Sequence, residues 1–423
     1  MRVSSPSARR TPPPRRGLDL RGDKLTALLD AAAAEFNAYG IAGAQLSRIA
    51  QAVGLTRAAL YYYFESREDL AFHCYVRACR TTADDLAAAA AARNGLARVG
   101  AFIQRTLDPA RPPAVVLSEI ACLGEARRAE VEAAHGTNVA ALTQFIAGGI
   151  ADHSVRDCDP EIAAQTLVGM LGWLPLAEEW SAGTGEDVRR NAARAIAELI
   201  SDGIAADPAY PFACPLDVAT LAFRPGNAFD RGAAAAMKVE LLTRTASRLF
   251  NRRGIDGTSI DQITQELGAT KGAFYQYFKD KNELIVECHR RQLDLAARIV
   301  ETAGQAGRNG LERALCGMHL LVQAYASDVA PLSPLTGVEA LPARARAQIR
   351  KRGQELALRY EQFNRGGIAD GSFRPFEVRT LAVLGAGVFS WIPKWRADDD
   401  ARSPRAIADE TTALFVRGLR RRK

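Results

Sequence analysis

The sequence predicts an all-α protein made of one unit used twice, and three observations carry that prediction. Long stretches of the 423 residues are rich in alanine and leucine with few glycines or prolines, a composition that favours helix over strand. Apolar residues recur at three- and four-residue intervals, without the sustained two-residue alternation that a half-buried strand requires. Finally, residues 46–70, LSRIAQAVGLTRAALYYYFESREDL, and residues 260–284, IDQITQELGATKGAFYQYFKDKNEL, follow one pattern at a shift of 214 positions. The same shift maps Phe36 onto Phe250, Gly43 onto Gly257, Tyr61 onto Tyr275 and Leu70 onto Leu284 without a gap. A period this long points to duplication of a whole domain rather than to a solenoid.

Residues 1–20, with Pro12, Pro13, Pro14 and scattered Ser and Arg, hold too few apolar residues to fold and read as a disordered basic arm. A helical pattern then runs from Lys24 through Leu25, Leu28, Leu29, Ala32 and Phe36 to Gly40. Its second copy runs from Lys238 through Leu242, Ala246 and Phe250 to Gly254. Next comes a short amphipathic helix (Ile49, Ala50, Val53; then Ile263, Leu267), stopped by Gly54 or Gly268, where a turn of positive φ favours a residue without Cβ. Two residues on, Thr56 and Thr270 read as N-caps of a second short helix. That helix opens on a cation, Arg57 or Lys271, and continues into an aromatic body. At helical spacing Leu60, Tyr63 and Phe64 share the face that packs inward, which turns Tyr61 and Tyr62 elsewhere. This is the grammar of a helix-turn-helix, whose second helix presents its N-terminal part to the DNA major groove.

The body segments repeat more faintly. Gly149, Ile150, Ala151 and Asp152 match Gly367, Ile368, Ala369 and Asp370 at a shift of 218, as does Trp173-Leu174-Pro175 with Trp391-Ile392-Pro393. Amphipathic helices over residues 192–200 and 407–419 close the two halves. Between them, residues 205–232 are rich in Pro and Gly and read as a linker that, if flexible, spans roughly 30 Å. The boundaries read from the sequence are therefore arm 1–20, heads 21–70 and 233–284, bodies 71–204 and 285–423, and linker 205–232.

Of the net charge of +7, residues 1–22 and 417–423 carry +5 each, which leaves the body at −3. DNA binding therefore has to be argued from local geometry rather than from overall charge. The basic ends either add salt-dependent phosphate affinity or are simply solvated. Seven cysteines with no CxxC pair suit neither a disulfide framework nor a zinc site. His73, Cys74, Cys79 and His289 do not make a metal-ligand set, and Cys74 and Cys288, at equivalent repeat positions, read as buried small hydrophobes. No apolar run reaches the roughly 18 residues of a membrane span and no secretory leader opens the chain, so a cytoplasmic protein without a membrane partner is expected. No nucleophile with its base and no glycine-rich phosphate loop is present; Glu178 and Glu179 read as solvated. No enzyme activity, cofactor or metal is expected.

The three-helix pattern ending in Leu/Phe-Tyr-x-Tyr-Phe, a cation and an acidic-Leu step resembles the DNA-binding domain of the tetracycline-repressor (TetR) family, over about 47 residues in each copy. The resemblance implies two TetR-like units, each a helix-turn-helix head on an all-helical regulatory domain, arranged as a pseudo-dimer. By position, Tyr61 and Tyr275 would hold phosphates, Arg57, Tyr62, Lys271 and Gln276 would lie nearest the bases, and Arg67 and Lys281 would add backbone contacts. Thr56, Tyr63, Thr258, Thr270 and Tyr277 complete the candidate DNA-binding set. The implied partners are double-stranded DNA, a small hydrophobic effector of fatty-acyl or sterol type, and beyond the pseudo-dimer a further homodimer. The closing helices of the two halves would form a four-helix interface. Trp173 and Trp391 would lie near it or line a ligand pocket. The copies also differ. The first has Ala44, Gln45 and Ser47 where the second has Thr258, Ser259 and Asp261, and the second is the more positive, so unequal half-sites of an asymmetric operator follow. A repressor is the implied activity. The rival reading is a helical interaction or scaffold protein with degenerate heads.

Overall fold

In the computed structural model the described residues are 16–112, 114–176, 185–223, 230–333, 338, 341–397 and 399–422. Among them the chain forms helices and no strand. The first half contains α1 (Arg16–Gly43), α2 (Leu46–Ala52), α3 (Arg57–Leu60), α4 (Arg67–Ala89), α5 (Gly95–Thr106), α6 (Glu125–Ala151), α7 (Pro160–Trp173) and α8 (Gly185–Asp202). The second contains α9 (Arg231–Arg253), α10 (Ile260–Glu266), α11 (Lys271–Tyr275), α12 (Lys281–Ala306), α13 (Gly310–Tyr325), α14 (Ala343–Ala369), α15 (Val378–Ser390), α16 (Ile392–Trp395) and α17 (Pro404–Arg417). No described helix is long and apolar enough to cross a membrane.

Local chemistry sets the starts of these helices in matched pairs. Ser66 Oγ accepts from Asp69 N at 3.1 Å to open α4, and Asp280 Oδ1 accepts from Glu283 N at 2.9 Å to open α12. Asn94 and Asn309 cap α5 and α13 in the same way, each at 2.9 Å. Such caps satisfy donors that the first turn leaves free.

Each head has its own small apolar core, one around Leu28, Phe36, Ile49, Leu60 and Phe64, the other around Leu242, Phe250, Ile263, Phe274 and Phe278. The two bodies share one core, which runs from Leu86 and Val99 through Trp173 to Trp391 and Phe415. Helices α7, α8, α15 and α17 pack on one another across the middle. There α7 meets α15 backbone to backbone: a Cβ on Gly387 would lie 2.3 Å from the Gly169 carbonyl oxygen, and one on Gly169 would lie 2.6 Å from that of Gly387. Only glycine permits that approach.

The segments after α8 and α17 cross reciprocally. Ile204 N donates to Phe415 O and Leu419 N to Ile200 O, each at 2.7 Å. Further out, Arg374 N donates to Ile204 O at 3.1 Å and Arg156 N to Leu419 O at 2.8 Å.

Several expectations change here. The basic C-terminal end is docked on the other half: Arg420 Nε donates to Asp202 Oδ1 at 2.6 Å, Arg421 N to Ser154 O at 3.2 Å and Arg422 Nη2 to Asp202 O at 2.9 Å. Charge count alone could not show that an acceptor waits at the end of α8. The described part of the linker is a seated strap rather than a free coil. Tyr210 Oη donates to Glu312 Oε1 at 2.6 Å, Val218 N to Gln323 Oε1 at 3.2 Å, and Arg405 Nη2 to Cys214 O at 2.5 Å. Helix α1 already begins at Arg16, inside the stretch read as an arm; residues 1–15, Glu178, Glu179 and Trp180 lie outside the described residues.

Candidate nucleic-acid interface and effector cavity

In both heads the turn between the two short helices is made at a glycine of positive φ, +71° at Gly54 and +62° at Gly268. Thr56 Oγ1 accepts from Ala59 N and Thr270 Oγ1 from Ala273 N, each at 3.2 Å, so both threonines cap the second helix. Leu60 and Phe64, and Phe274 and Phe278, are buried beneath it, which drives the intervening tyrosines outward. Tyr62 is 89% exposed, Tyr61 46% and Tyr275 55%, more than packing alone asks of aromatic side chains. Gln276 and Arg57 are also exposed. Arg57 Nη2 reaches Tyr61 Oη at 3.5 Å, so a cation and a phenol share one edge of α3.

Other candidate residues are engaged internally. Tyr63 and Tyr277 are half-buried against the head cores. Thr258 is buried, with its hydroxyl donating to Gly254 O at 2.9 Å. Arg67 Nη1 donates to Ala42 O at 2.8 Å, and Lys281 Nζ donates to Ile255 O, so both cations tie the fourth helix of their unit to the end of the first. Lys271 pairs with Asp261 at 2.8 Å, the carboxylate that sets the second head apart. At the start of α10 Ser259 and Gln262 form a capping box, whereas Gln45 gives α2 no side-chain cap; there Glu35 instead accepts from Gln45 N and Arg48 Nε, each at 2.9 Å.

Sequence reasoning missed the joints between heads and bodies. Asn37 Nδ2 donates to Ala114 O and its Oδ1 accepts from Val116 N, both at 2.9 Å. Asn251, its counterpart at the same shift of 214, donates to Pro331 O at 2.9 Å and accepts from Ser333 N at 2.8 Å. That identity between copies was the available signal. A 3-10 segment, Leu117–Cys122, touches both heads: Glu119 Oε2 accepts from Ile41 N at 2.6 Å, and Ala121 lies against Gly254. From the second half, Lys394 Nζ donates to Ser118 O at 2.8 Å. Burial pushes that amine down to about 8, partly opposed by the Glu119 carboxylate.

The same stretch walls a cavity. In the first body a space of about 710 Å³ lies among α4, α5, α6 and the end of α7, bounded by Thr82, Phe102, Val116, Leu142 and Leu171. Its polar lining includes Asp85, paired with Arg111 at 2.8 Å and Arg105 at 3.4 Å, Asn138, and His135, whose pKa burial lowers. The second body holds only about 120 Å³ at the related place. Tyr360 and Phe389 stand there where the first body has Leu142 and Leu171, and Ile299 stands where it has Asp85. The tryptophans are exchanged: Trp391 lines the first cavity, where it meets His135 edge-on at 5.7 Å, and Trp173 lines the second. Among the described residues no cluster of His, Cys, Asp and Glu could hold a metal ion.

Two capped helix-turn-helix heads, each on a helical body, define the class of a helix-turn-helix regulator. The model of bacterial regulatory proteins of the tetR family matches residues 28–74 and 242–288, and that of the tetracyclin repressor-like C-terminal domain matches 97–205 and 311–419. The chain belongs to the TetR family, with both of its parts present twice. The transposon Tn10 TetC protein of Escherichia coli is 38% identical over 61 residues, which cover 14% of this chain and 31% of TetC. The HTH-type transcriptional repressor KstR2 of Mycolicibacterium smegmatis is 26% identical over 202 residues, 45% of this chain and 94% of that protein. Among solved structures, the ketosteroid transcriptional regulator KstR2 of Mycobacterium tuberculosis aligns with a TM-score of 0.38 at 19% identity, over 44% of this chain and 96% of that one.

Proposed function

We propose that the protein is a sequence-specific DNA-binding transcription regulator, a repressor released by a small hydrophobic effector. One chain supplies both reading heads of a pseudo-dimer, and because the heads differ the operator is asymmetric. The observation that carries this reading is the pair of capped second helices, each with an exposed tyrosine beside a cation. Phenols and cations of this kind anchor on phosphates, while residues at the helix start reach base edges. Arg57 and Tyr62 against Lys271 and Gln276 give the two heads different reading sets.

The effector reading is supported by the first cavity, which is of ligand size and lined mostly by apolar surface with polar side chains among it. Its wall continues into the segment that touches both heads. An effector that fits only one arrangement of that wall shifts the population of DNA-competent molecules by its differential affinity. The reciprocal crossing of the segments after α8 and α17 supports the pseudo-dimer, since an isologous interface makes each contact twice.

The test is selection of genomic DNA fragments by the purified chain at two salt concentrations, with Tyr61→Ala and Tyr275→Ala alongside. One enriched site, lost in both variants and with an affinity that falls steeply with salt, is the expected result. Absence of enrichment would overturn the regulator reading and favour the interaction protein.

A further inference from the structure

The two bodies follow one plan, and their differences converge on the place where a ligand would sit. The caps Asn94 and Asn309, each followed by a glycine packed on the backbone of α6 or α14, set α5 and α13 in register at a shift of 215. That register puts Gly317 at the position of Phe102. In the first body Phe102 and Leu142 bound the open cavity. In the second, Tyr360 replaces Leu142 and lies over Gly317, where a Cβ would stand 2.6 Å from the Tyr360 hydroxyl oxygen and 2.9 Å from its ring. The large side chain has passed from one helix to the facing one, and the glycine makes room for it. Phe389, in place of Leu171, closes the space from α15 with its ring 5.2 Å from that of Tyr325. The contrast between about 710 and about 120 Å³ is thus built from paired positions.

The polar lining changes with the volume. Thr82, Asp85, His135 and Asn138 of the first body correspond to Ala296, Ile299, Gly353 and Leu356 of the second. In the first cavity the Asp85 charge is already paired, with Arg111 and Arg105. Thr82 Oγ1 donates to Ala78 O at 2.9 Å, and Asn138 Nδ2 donates to Cys79 O at 2.7 Å. With those protons committed, the Thr82 hydroxyl oxygen and the Asn138 amide oxygen remain as acceptors. Such a lining suits an uncharged, mostly apolar molecule that brings a hydroxyl group. A charged one would lose its hydration without gaining a free counterion.

One occupied cavity has access to both heads. Val115, Val116 and Leu117 form part of its wall, and Val116 N donates to Asn37 of the first head at 2.9 Å. Just beyond, Glu119 Oε2 accepts from Ile41 N at 2.6 Å, and Ala121 lies 3.4 Å from a Cβ placed on Gly254, at the end of α9 in the second head. We propose that a single effector, an apolar alcohol lodged in the first body, governs both heads, while the second body is a closed half that takes no ligand. For its effect on DNA this rests on the regulator reading. With one site for two heads, release follows a simple binding curve, and the whole shift comes from the differential affinity of one molecule.

The experiment is isothermal titration calorimetry of the full chain with n-decanol, without DNA, and one site per chain is expected. n-Decanoate, which has the same tail and a charge, binds about tenfold more weakly or worse. Leu142→Tyr abolishes the site. Tyr360→Leu combined with Phe389→Leu opens the second body and adds a site. Thr82→Val keeps the shape, removes the acceptor and weakens binding about fivefold, which tests the site even if the larger changes prevent folding. On an operator fragment, n-decanol is expected to end the protection of both half-sites over one concentration range, with a Hill coefficient of about one. The proposal is overturned if the wild-type chain binds no n-decanol, if binding survives Leu142→Tyr, if n-decanoate or Thr82→Val binds as tightly, or if only one half-site is released. A chain that binds n-decanol at the one site but selects no DNA would support the site and overturn the regulator reading instead.

Discussion

At the scale of single residues, the outward tyrosines of the heads follow directly from the chain. Leu60 and Phe64 must face inward, and helical spacing then leaves Tyr61 and Tyr62 no place but solvent. Arg57→Ala is expected to weaken operator binding about tenfold and to relax the sequence preference at the base pair that the first head reads, measured by anisotropy on operators varied at single positions. Lys394 was not legible in the same way, because its environment comes from Ser118 and Glu119, segments far away in sequence. Its pKa is lowered in the fold, so the unfolded chain binds the extra proton more readily and stability rises with pH between about 8 and 10.5. At neutral pH that term costs the fold up to about 3 kcal/mol. Lys394→Met is therefore expected to be the more stable protein at pH 7 and to lose that advantage by pH 10, read from urea unfolding at both values.

At the scale of elements, the segment from Ala114 to Cys122 matters most and was the hardest to read. It has no helical period, and its counterpart near Pro331 and Ser333 shares little sequence with it, so comparing the two copies gave no warning. Asn37 and Asn251, which anchor these two segments, were legible as an identity but not as a role. On the proposed reading Glu119→Gln weakens the hold on Ile41 and uncouples the cavity from the first head: an effector still quenches Trp391 fluorescence while its power to release DNA falls severalfold. Leu142→Tyr introduces the bulk found in the second body. It is expected to abolish effector binding in the same titration, with DNA affinity unchanged. The strap was misread for a related reason. Pro- and Gly-rich composition says that a segment makes no helix, but the anchors Glu312, Gln323 and Arg405 come from elsewhere in the chain.

At the scale of the molecule, the duplication was plain from the constant shift of 214, and the all-helical class from the apolar spacing. The joining of the halves was legible only in part. Trp173 and Trp391 were placed near the junction, yet nothing in the sequence told Gly169 and Gly387 from ordinary helix glycines. Gly387→Ala forces a methyl group to 2.3 Å from a carbonyl oxygen. It should cost about 1–3 kcal/mol, seen as a fall of several degrees in Tm with the heads' secondary structure retained. The reciprocal crossing behind α8 and α17 has a genetic consequence on the proposed reading. In a regulator assembled from separate identical subunits, a damaged subunit joins healthy ones and spoils their heads as well. Here the partner is inherited with the chain, so an allele that ruins one head harms only its own molecule and behaves as recessive beside an intact copy. The two heads are likewise free to diverge in sequence, because neither has to match a copy of itself.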